Sequence, residues 1–425
     1  MNFTAARPRP RWSSSLGDMT RALPFASSSR CAPSDVLCAR SHLQEPWLPV
    51  LPPFGESAST GVNPCIRLEM NGNGGKTVLD SCLPGAHLLP AWHSFAHEAL
   101  DNLFRAHPQV RMASNSLCFG HWMGDQGAAR WARGFGVPRR GTLLLSSCES
   151  LLQWYPAFAA RYLKTWNSYY DKCKGDELAR LHSIGKDERD YFGEGGAMWR
   201  SCRPGALAAH DKAAGTGGPG TELTPPFVMR NTYGATHGRL LIVLRNPVDR
   251  LETSFWVHVH YPKRYGATAD GLHSYVVEQG AAFDGCVRKH GPRRCAFLFE
   301  YLGPRYSDVF FHCDQLIRGV YEPFVRDWVG AFGNRTLVAR AEDLLDEPQR
   351  AQKRVLRFLG LPVPARGLPT PEMEYAPLHT LSLKGGKFAP QPMHNATRHR
   401  LRTFYAPHNE RLAQLLDDPR FLWKT

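Results

Sequence analysis

Arg245 closes an apolar run in the stretch "GRLLIVLRNPVDRLETSFW" (residues 238–256). Leu240, Leu241, Ile242, Val243 and Leu244 follow one another with no polar residue between them, the pattern of a strand buried on both faces in a parallel sheet. In such sheets ligands bind beyond the C-terminal ends of the strands. Pro247 suits the first turn of a helix, where its missing N–H costs nothing. A helix N-terminus offers unpaired amides and a positive dipole end to an anion. An arginine beside it grips a phosphate through two parallel hydrogen bonds. Thr253 and Ser254 add hydroxyls further along the same helix. Strand, Arg245 and Pro-started helix together make an anion cradle. The plainer alternative is an arginine that caps the sheet edge or pairs with Asp249.

A second stretch only imitates phosphate binding. "NGNGGKT" (residues 71–77) ends in Gly-Lys-Thr, but a nucleotide P-loop needs another glycine five residues before Gly75, and Met70 stands there. "VLDSCLP" follows, which leaves no room for the helix that a P-loop must open.

These side chains need elements to position them. Residues 99–110, "ALDNLFRAHPQV", place Leu100, Leu103 and Phe104 at helical spacing before a proline stop. "ESLLQWYPAFAARYLKTW" (149–166) reads as a helix interrupted at Pro156, and residues 203–226 as a Gly/Pro-rich loop. "VYEPFVRDWVGAF" (320–332) is an amphipathic helix, and "TLVARAEDL" (336–344) a second buried strand. "PQRAQKRVLRFLGLP" (348–362) is a helix stopped at Gly360 with Pro362 beyond it. This alternation predicts an α/β protein with a parallel sheet flanked by helices. No internal repeat is present.

The chain has 425 residues, 43% of them apolar, with 11 Trp and 22 Phe to fill a core. Residues 1–58 are rich in Pro, Ser and Arg without periodicity, and are expected to be a disordered leader to a folded domain over residues 59–425. Asp18 is the one acid in the first 30 residues, which resembles a transit-type leader more than a signal peptide. No apolar run approaches the roughly 18 residues of a transmembrane helix. The net charge of +14 favours anionic partners, unless the arginine excess only mirrors the base composition of the coding sequence. No basic run interleaved with aromatics points to nucleic acid. Eleven cysteines include no CxxC pair, so no metal site is expected; Cys65 with Cys82 and Cys286 with Cys295 are candidate disulfides. Asn2, Asn334 and Asn395 open sequons of the kind glycosylated in luminal proteins.

"LIVLRNPVDRLETSF" resembles the 3′-phosphate-binding segment of sulfotransferases that use 3′-phosphoadenosine 5′-phosphosulfate (PAPS). That family follows the strand with Arg, Asn or Asp, and Pro, and places a serine eight residues after the arginine; here that position is Thr253, with Ser254 its neighbour. The resemblance implies that Arg245 and Thr253 hold the 3′-phosphate. "DQLIRGVYEPFVRDWVGAF" and "LVARAEDL" are similar to a later helix and strand of carbohydrate sulfotransferases. "LKGGKFAPQPMHNATRHRLRTFYAPHNERLAQLLDDPRFLW" is similar to their C-terminal region, where a Lys-Gly loop touches the nucleotide. The matching positions are Lys384, Gly385 and Gly386. "GEGGAMW" (193–199) is similar to a Gly-Glu segment ahead of the phosphate-binding strand. "NPC…CLP" and the Cys286/Cys295 pair most resemble the N-acetylgalactosamine 4-sulfate 6-O-sulfotransferase branch. The likeness spans about residues 62–425. It implies a P-loop-like sulfotransferase fold, PAPS as co-substrate without a metal, a sulfated or acidic polysaccharide acceptor, and a place in the Golgi lumen.

The chain departs from the family where transfer occurs. The family holds the 5′-phosphosulfate with a Lys-x-Gly-Thr loop after an early strand, which stabilises charge on the bridging oxygen. A Glu in a Lys-Glu-x-His-aromatic segment takes the acceptor proton. Here the loop region reads "GAHLLPAWHSFAHEAL": His93, Ser94 and His97 stand near the expected places, and Lys, Gly and Thr do not. A histidine lacks the compact permanent charge of lysine. The second segment is "CFGHW" (118–122), which keeps His121 and Trp122 but not the Lys and Glu. "GVPRRGTLLL" (136–145) offers Arg139, Gly141 and Thr142 as a second location for the loop, or a plain surface turn. His121, His97 and Glu194 are the candidate bases, since a histidine titrates near neutrality. The rival reading is a catalytically impaired relative that binds nucleotide or sulfated glycan.

Overall fold

The run that ends at Arg245 is a strand, Arg239–Leu244, whose last five residues are fully buried. The surrounding architecture is that of a computed structural model, which describes residues 63, 65–72, 75–91, 96–113, 135–153, 164–185, 202, 204–206, 208–209, 224–233, 238–364 and 389–423. In chain order the strands are β1 (Cys65–Gly72), β2 (Gly75–Cys82), β3 (Ala86–Pro90), β4 (Val110–Met112), β5 (Leu143–Ser147), β6 (Arg239–Leu244) and β7 (Thr336–Arg340). The longer helices are α1 (Ala96–Ala106), α2 (Lys164–Ser183), α3 (Pro225–Tyr233), α4 (Pro247–Val257), α5 (Ala269–His290), α6 (Glu322–Phe332), α7 (Pro348–Leu359) and α8 (Asn395–Leu416).

Strands β3 to β7 form one sheet in the order β4-β5-β3-β6-β7, and every pair is parallel. The chain leaves β3 towards β5 and β4 on one side and leaves β6 towards β7 on the other. The two strands are neighbours, with Pro90 opposite Val243. A topological switch point therefore lies between their C-terminal ends, the place where open α/β sheets bind ligands.

Both faces of the sheet are covered, which is why β6 has no polar alternation. Leu240, Ile242 and Leu244 pack on the face lined by α3 and α6, with Tyr233 and Trp328 among their neighbours. Leu241 and Val243 pack on the opposite face, against α1 and α7. A further core joins α4, α5 and α8 through residues such as Phe255, Tyr275 and Tyr405. The glycine stop of α7 is as expected: Gly360 sits at φ 73°, a left-handed turn that glycine adopts without strain.

The Gly-Lys-Thr imitation lies at the tip of the antiparallel β1–β2 hairpin, where Gly72 faces Gly75, so a strand rather than a helix follows it. The strand expected over 336–344 ends at Arg340, and a single helical turn, Asp343–Asp346, completes that stretch. Residues 1–58 lie outside the described residues. Cys286 and Cys295 are disulfide-bonded, as are Cys173 and Cys202, and Cys82 and Cys148 are also in disulfides. Among the described residues no helix is long and apolar enough to cross a membrane, and no group of three or more side chains could hold a metal ion.

Candidate functional site

The turn after β6 is fixed from three directions. The hydroxyl of Tyr321 donates to the carbonyl oxygen of Arg245 at 2.7 Å. The amide of Asn246 donates to Glu342 Oε1 at 2.7 Å, a carboxylate delivered by the neighbouring strand β7. Asn246 Oδ1 caps α4 by accepting from the amide of Val248 at 3.0 Å, and Pro247 occupies the first turn. Burial pushes the Tyr321 phenol well above its ordinary pKa, so it stays a donor. Arg245 itself is 8% exposed. This corrects one part of the anion-cradle expectation. The Asn246 and Val248 amides are already bonded within the protein and Pro247 has none, so fewer first-turn amides face an anion than expected.

The two hydroxyls of α4 separate sharply. Thr253, 6% exposed, donates its hydroxyl to the Asp249 carbonyl at 2.9 Å within its own helix, so it must turn from that carbonyl to donate to a phosphate oxygen. Ser254 is fully buried on the core side. Its Oγ donates to the Arg250 carbonyl at 2.9 Å and accepts from Arg250 Nη1 at 3.1 Å. Arg250 is likewise fully buried and also donates through Nη1 to Gln315 Oε1 at 3.1 Å and through Nη2 to the Gln315 carbonyl. Ser254 is thus bonded within the buried Arg250 network, whereas Thr253, at the serine-eight position, is bonded to its own helix.

The C-terminal region is tied to the same helix. Glu252, adjacent to Thr253, accepts the amide of Met393 at 3.0 Å and Arg398 Nη2 at 3.0 Å, while Arg398 Nη1 reaches Asp249 at 2.8 Å. Burial raises the Glu252 pKa, and Arg398 opposes that shift. Lys384, Gly385 and Gly386 lie outside the described residues; Met393, seven residues on, shows where the chain that carries them arrives.

At β3 the amide of Ala91 donates to the Val243 carbonyl at 2.7 Å, two residues from Arg245, and α1 begins at Ala96. Ala91, the last described residue before the connection to α1, is therefore at the Arg245 end of the sheet. His93 and Ser94 belong to that connection and lie outside the described residues, as do His121 and Glu194. His97 is the second residue of α1, and its side chain is likewise not described. Arg139 is placed elsewhere. It is exposed, in a turn closed by the Thr142 amide on the Arg139 carbonyl at 3.0 Å, and β5 begins at Leu143. It therefore precedes a strand parallel to β6 and sits at the opposite edge of the sheet from Arg245. The plain-turn reading of Arg-Arg-Gly-Thr is the one the topology supports.

Residues 314–321 brace the β6–α4 turn, a role that sequence reasoning missed. Gln315 holds Arg250, Tyr321 holds Arg245, and the Arg318 carbonyl accepts from Gln153 just beyond β5. Arg318 Nε bridges both oxygens of Asp314 at 2.9 and 3.0 Å. His258, at the end of α4, has its pKa lowered by burial, with Asp314 acting in the opposite sense. No local pattern marks these residues, because each acts across a long sequence separation.

No family model matches the chain. It is 27% identical over 356 residues to carbohydrate sulfotransferase 15 of Rattus norvegicus, covering 81% of this chain and 55% of that protein. It is 30% identical over 215 residues to the proteins of the same name from Mus musculus and Homo sapiens, covering 48% of this chain and 35% of each. The matched region is thus about half of the rat protein, or less for the other two. A crystal structure of a sulfotransferase from Alicyclobacillus acidocaldarius superposes with a TM-score of 0.38 at 15% identity, over 79% of this chain and 96% of that one. The chain is a sequence relative of the carbohydrate sulfotransferases.

Proposed function

We propose that the protein transfers a sulfo group from PAPS to a hydroxyl of an acidic, glycosaminoglycan-like carbohydrate, in the Golgi lumen. The observation that carries this reading is the placement of Arg245 and Thr253 on the strand–turn–helix unit at the β3/β6 switch point, in a sequence relative of carbohydrate sulfotransferases. Arg245 and Thr253 would hold the 3′-phosphate. The Lys384-Gly385-Gly386 segment, delivered by the chain that anchors at Met393, would close over the nucleotide. His93 and Ser94 would meet the 5′-phosphosulfate at the neighbouring strand end. An acceptor oxygen then attacks sulfur in line as the bond from sulfur to the bridging phosphate oxygen breaks. The acceptor proton passes to His121, His97 or Glu194, and the nucleotide leaves as adenosine 3′,5′-bisphosphate. The excess positive charge suits a polyanionic acceptor.

A second reading is favoured by one specific feature. Residues 91–97 read Ala-Trp-His-Ser-Phe-Ala-His, with none of the Lys, Gly and Thr that grip the phosphosulfate in the resembling family. On this reading the protein binds nucleotide or sulfated glycan without transfer. Calorimetry with adenosine 3′,5′-bisphosphate separates the outcomes. Binding that falls about 10- to 150-fold in Arg245→Ala, the weight of one charge-assisted contact of about 1.5–3 kcal/mol, with AMP binding unaffected, supports the 3′-phosphate site. Labelled sulfo transfer from PAPS to acidic glycans then decides between enzyme and binder. Absence of nucleotide binding in folded protein refutes sulfo transfer and leaves only the glycan-binding form of the second reading.

A further inference from the structure

We propose that Asn334 carries an N-linked oligosaccharide that stands over the open edge of β7, on the side of the sheet away from the Arg245 crevice. Asn334-Arg335-Thr336 is a sequon at the turn between α6 and β7. Gly333, at φ 56°, ends α6 by turning the chain sharply, and Asn334 falls at the tip. Arg335 folds inward: Nη1 donates to the Gly238 carbonyl at 3.2 Å, and the guanidinium lies 5.0 Å from the Phe332 ring centre. Asn334 is left exposed, and its amide has no hydrogen-bond partner among the described residues. Substitution on its Nδ2 would break no hydrogen bond among the described residues. The Thr336 hydroxyl, which sequon recognition requires, is buried in the folded protein with no hydrogen-bond partner among the described residues, so its recognition belongs to the chain before β7 docks.

The compartment follows from a separate observation. Cys173–Cys202, Cys286–Cys295 and the disulfides of Cys82 and Cys148 mark a chain that matures where thiols are oxidised. Sequons are glycosylated in that same environment. The co-reactant is an oligosaccharide activated as a lipid-linked diphosphate. Asn334 Nδ2 bonds to the anomeric carbon, the bond from that carbon to the diphosphate oxygen breaks, and the lipid diphosphate departs as Nδ2 gives up one proton.

Position gives the sugar a purpose. Among the described residues β7 is the last strand of the sheet and pairs only with β6. Among these residues its outer side is an open strand edge, the feature through which folded proteins pair and aggregate. A branched glycan two residues before that strand covers the approach. It also lies at the start of β7, about 16 Å of strand from the crevice edge at roughly 3.3 Å per residue, so an acceptor is not obstructed. Asn395 offers no such place. It opens α8 next to the Met393–Glu252 anchor beside Thr253. Nothing here depends on the chemistry at Arg245.

The test is peptide mapping of the full chain expressed in eukaryotic cells, with N-glycosidase release in heavy-oxygen water and an untreated control for spontaneous deamidation. Labelled aspartate at position 334 is expected in most of the folded protein. Thr336→Ala should abolish it, and Thr336→Ser should keep it. Asn334→Gln should aggregate faster than the parent at equal concentration while binding adenosine 3′,5′-bisphosphate unchanged. Unlabelled Asn334 in folded protein overturns the proposal. Labelling with no difference in aggregation overturns its edge-shielding half.

Discussion

Tyr321 and Arg245 are joined through the tyrosine hydroxyl and the arginine carbonyl, 2.7 Å apart, across 76 residues of sequence. Both groups are buried, so the carbonyl has no solvent to fall back on. Tyr321→Phe removes the donor and leaves that oxygen unsatisfied. A loss of about 1–3 kcal/mol in folding stability is expected. The turn that aims the Arg245 side chain also loses one of its three fixings, so affinity for adenosine 3′,5′-bisphosphate should fall severalfold while affinity for AMP does not. Urea denaturation together with calorimetry checks both halves. Unchanged stability would show that the bond contributes nothing net.

Adjacent hydroxyls on α4 should behave oppositely. Thr253→Ala removes the hydroxyl at the serine-eight position and should weaken binding of the 3′-phosphate nucleotide by about tenfold, near 1.4 kcal/mol. Thr253→Ser should restore it. Ser254→Ala should leave nucleotide affinity untouched and cost about 1–2 kcal/mol of stability, because it takes an acceptor from the fully buried Arg250 guanidinium. If Ser254→Ala reduces affinity as Thr253→Ala does, the division between ligand hydroxyl and structural hydroxyl fails.

The contrast shows where sequence was informative. The unbroken run from Leu240 to Leu244 declares a strand covered on both faces, and Pro247 declares the helix start; both signals are local. The choice between Thr253 and Ser254 needed the direction of each side chain around α4, which periodicity does not resolve at adjacent positions. Glu342 bonding the Asn246 amide joins residues 96 apart, so no spacing rule could find it. Arg139 matched the loop pattern by residue type, yet residue type says nothing about which end of a parallel strand a turn will occupy. The β1–β2 hairpin was unread because its strands mix polar and apolar residues with a Gly-rich tip that imitates a phosphate loop.

His87 should make stability depend on pH. It is fully enclosed in β3 with Nε2 2.7 Å from the Tyr233 hydroxyl, and burial lowers its pKa from 6.5 to about 3. Between those values the unfolded chain binds a proton that the folded chain refuses. Stability is therefore full above about pH 6.5 and is lost progressively as pH falls towards 3. For this group alone the loss is about 2 kcal/mol at pH 5. His408, lowered to about 4 by burial and then by Arg411, adds in the same direction. Denaturation of the parent and of His87→Gln at pH 7 and pH 5 tests the assignment. The variant should show about 2 kcal/mol less pH dependence, and an identical slope would remove His87 from the account.

Gly319 is required for space rather than for backbone freedom. A Cβ there would lie 2.5 Å from Cε1, Cζ and the hydroxyl oxygen of Tyr405. That ring is fully buried and cannot swing away, and its hydroxyl donates to the Leu316 carbonyl at 2.9 Å. The wall formed by residues 314–321 is thereby pressed onto α8 at a distance that only a residue without a side chain allows. Gly319→Ala must displace the ring, with an overpacking cost of about 1–3 kcal/mol and about 1 kcal/mol more for the strained hydrogen bond. The displaced wall also carries Gln315 and Tyr321, so nucleotide affinity should fall with stability. Tyr405→Leu in the Gly319→Ala background should recover part of the stability by vacating the contact, and the coupling should exceed about 0.5 kcal/mol in a double-mutant cycle. Additive effects would mean that the close approach of Gly319 and Tyr405 does not set the position of the wall.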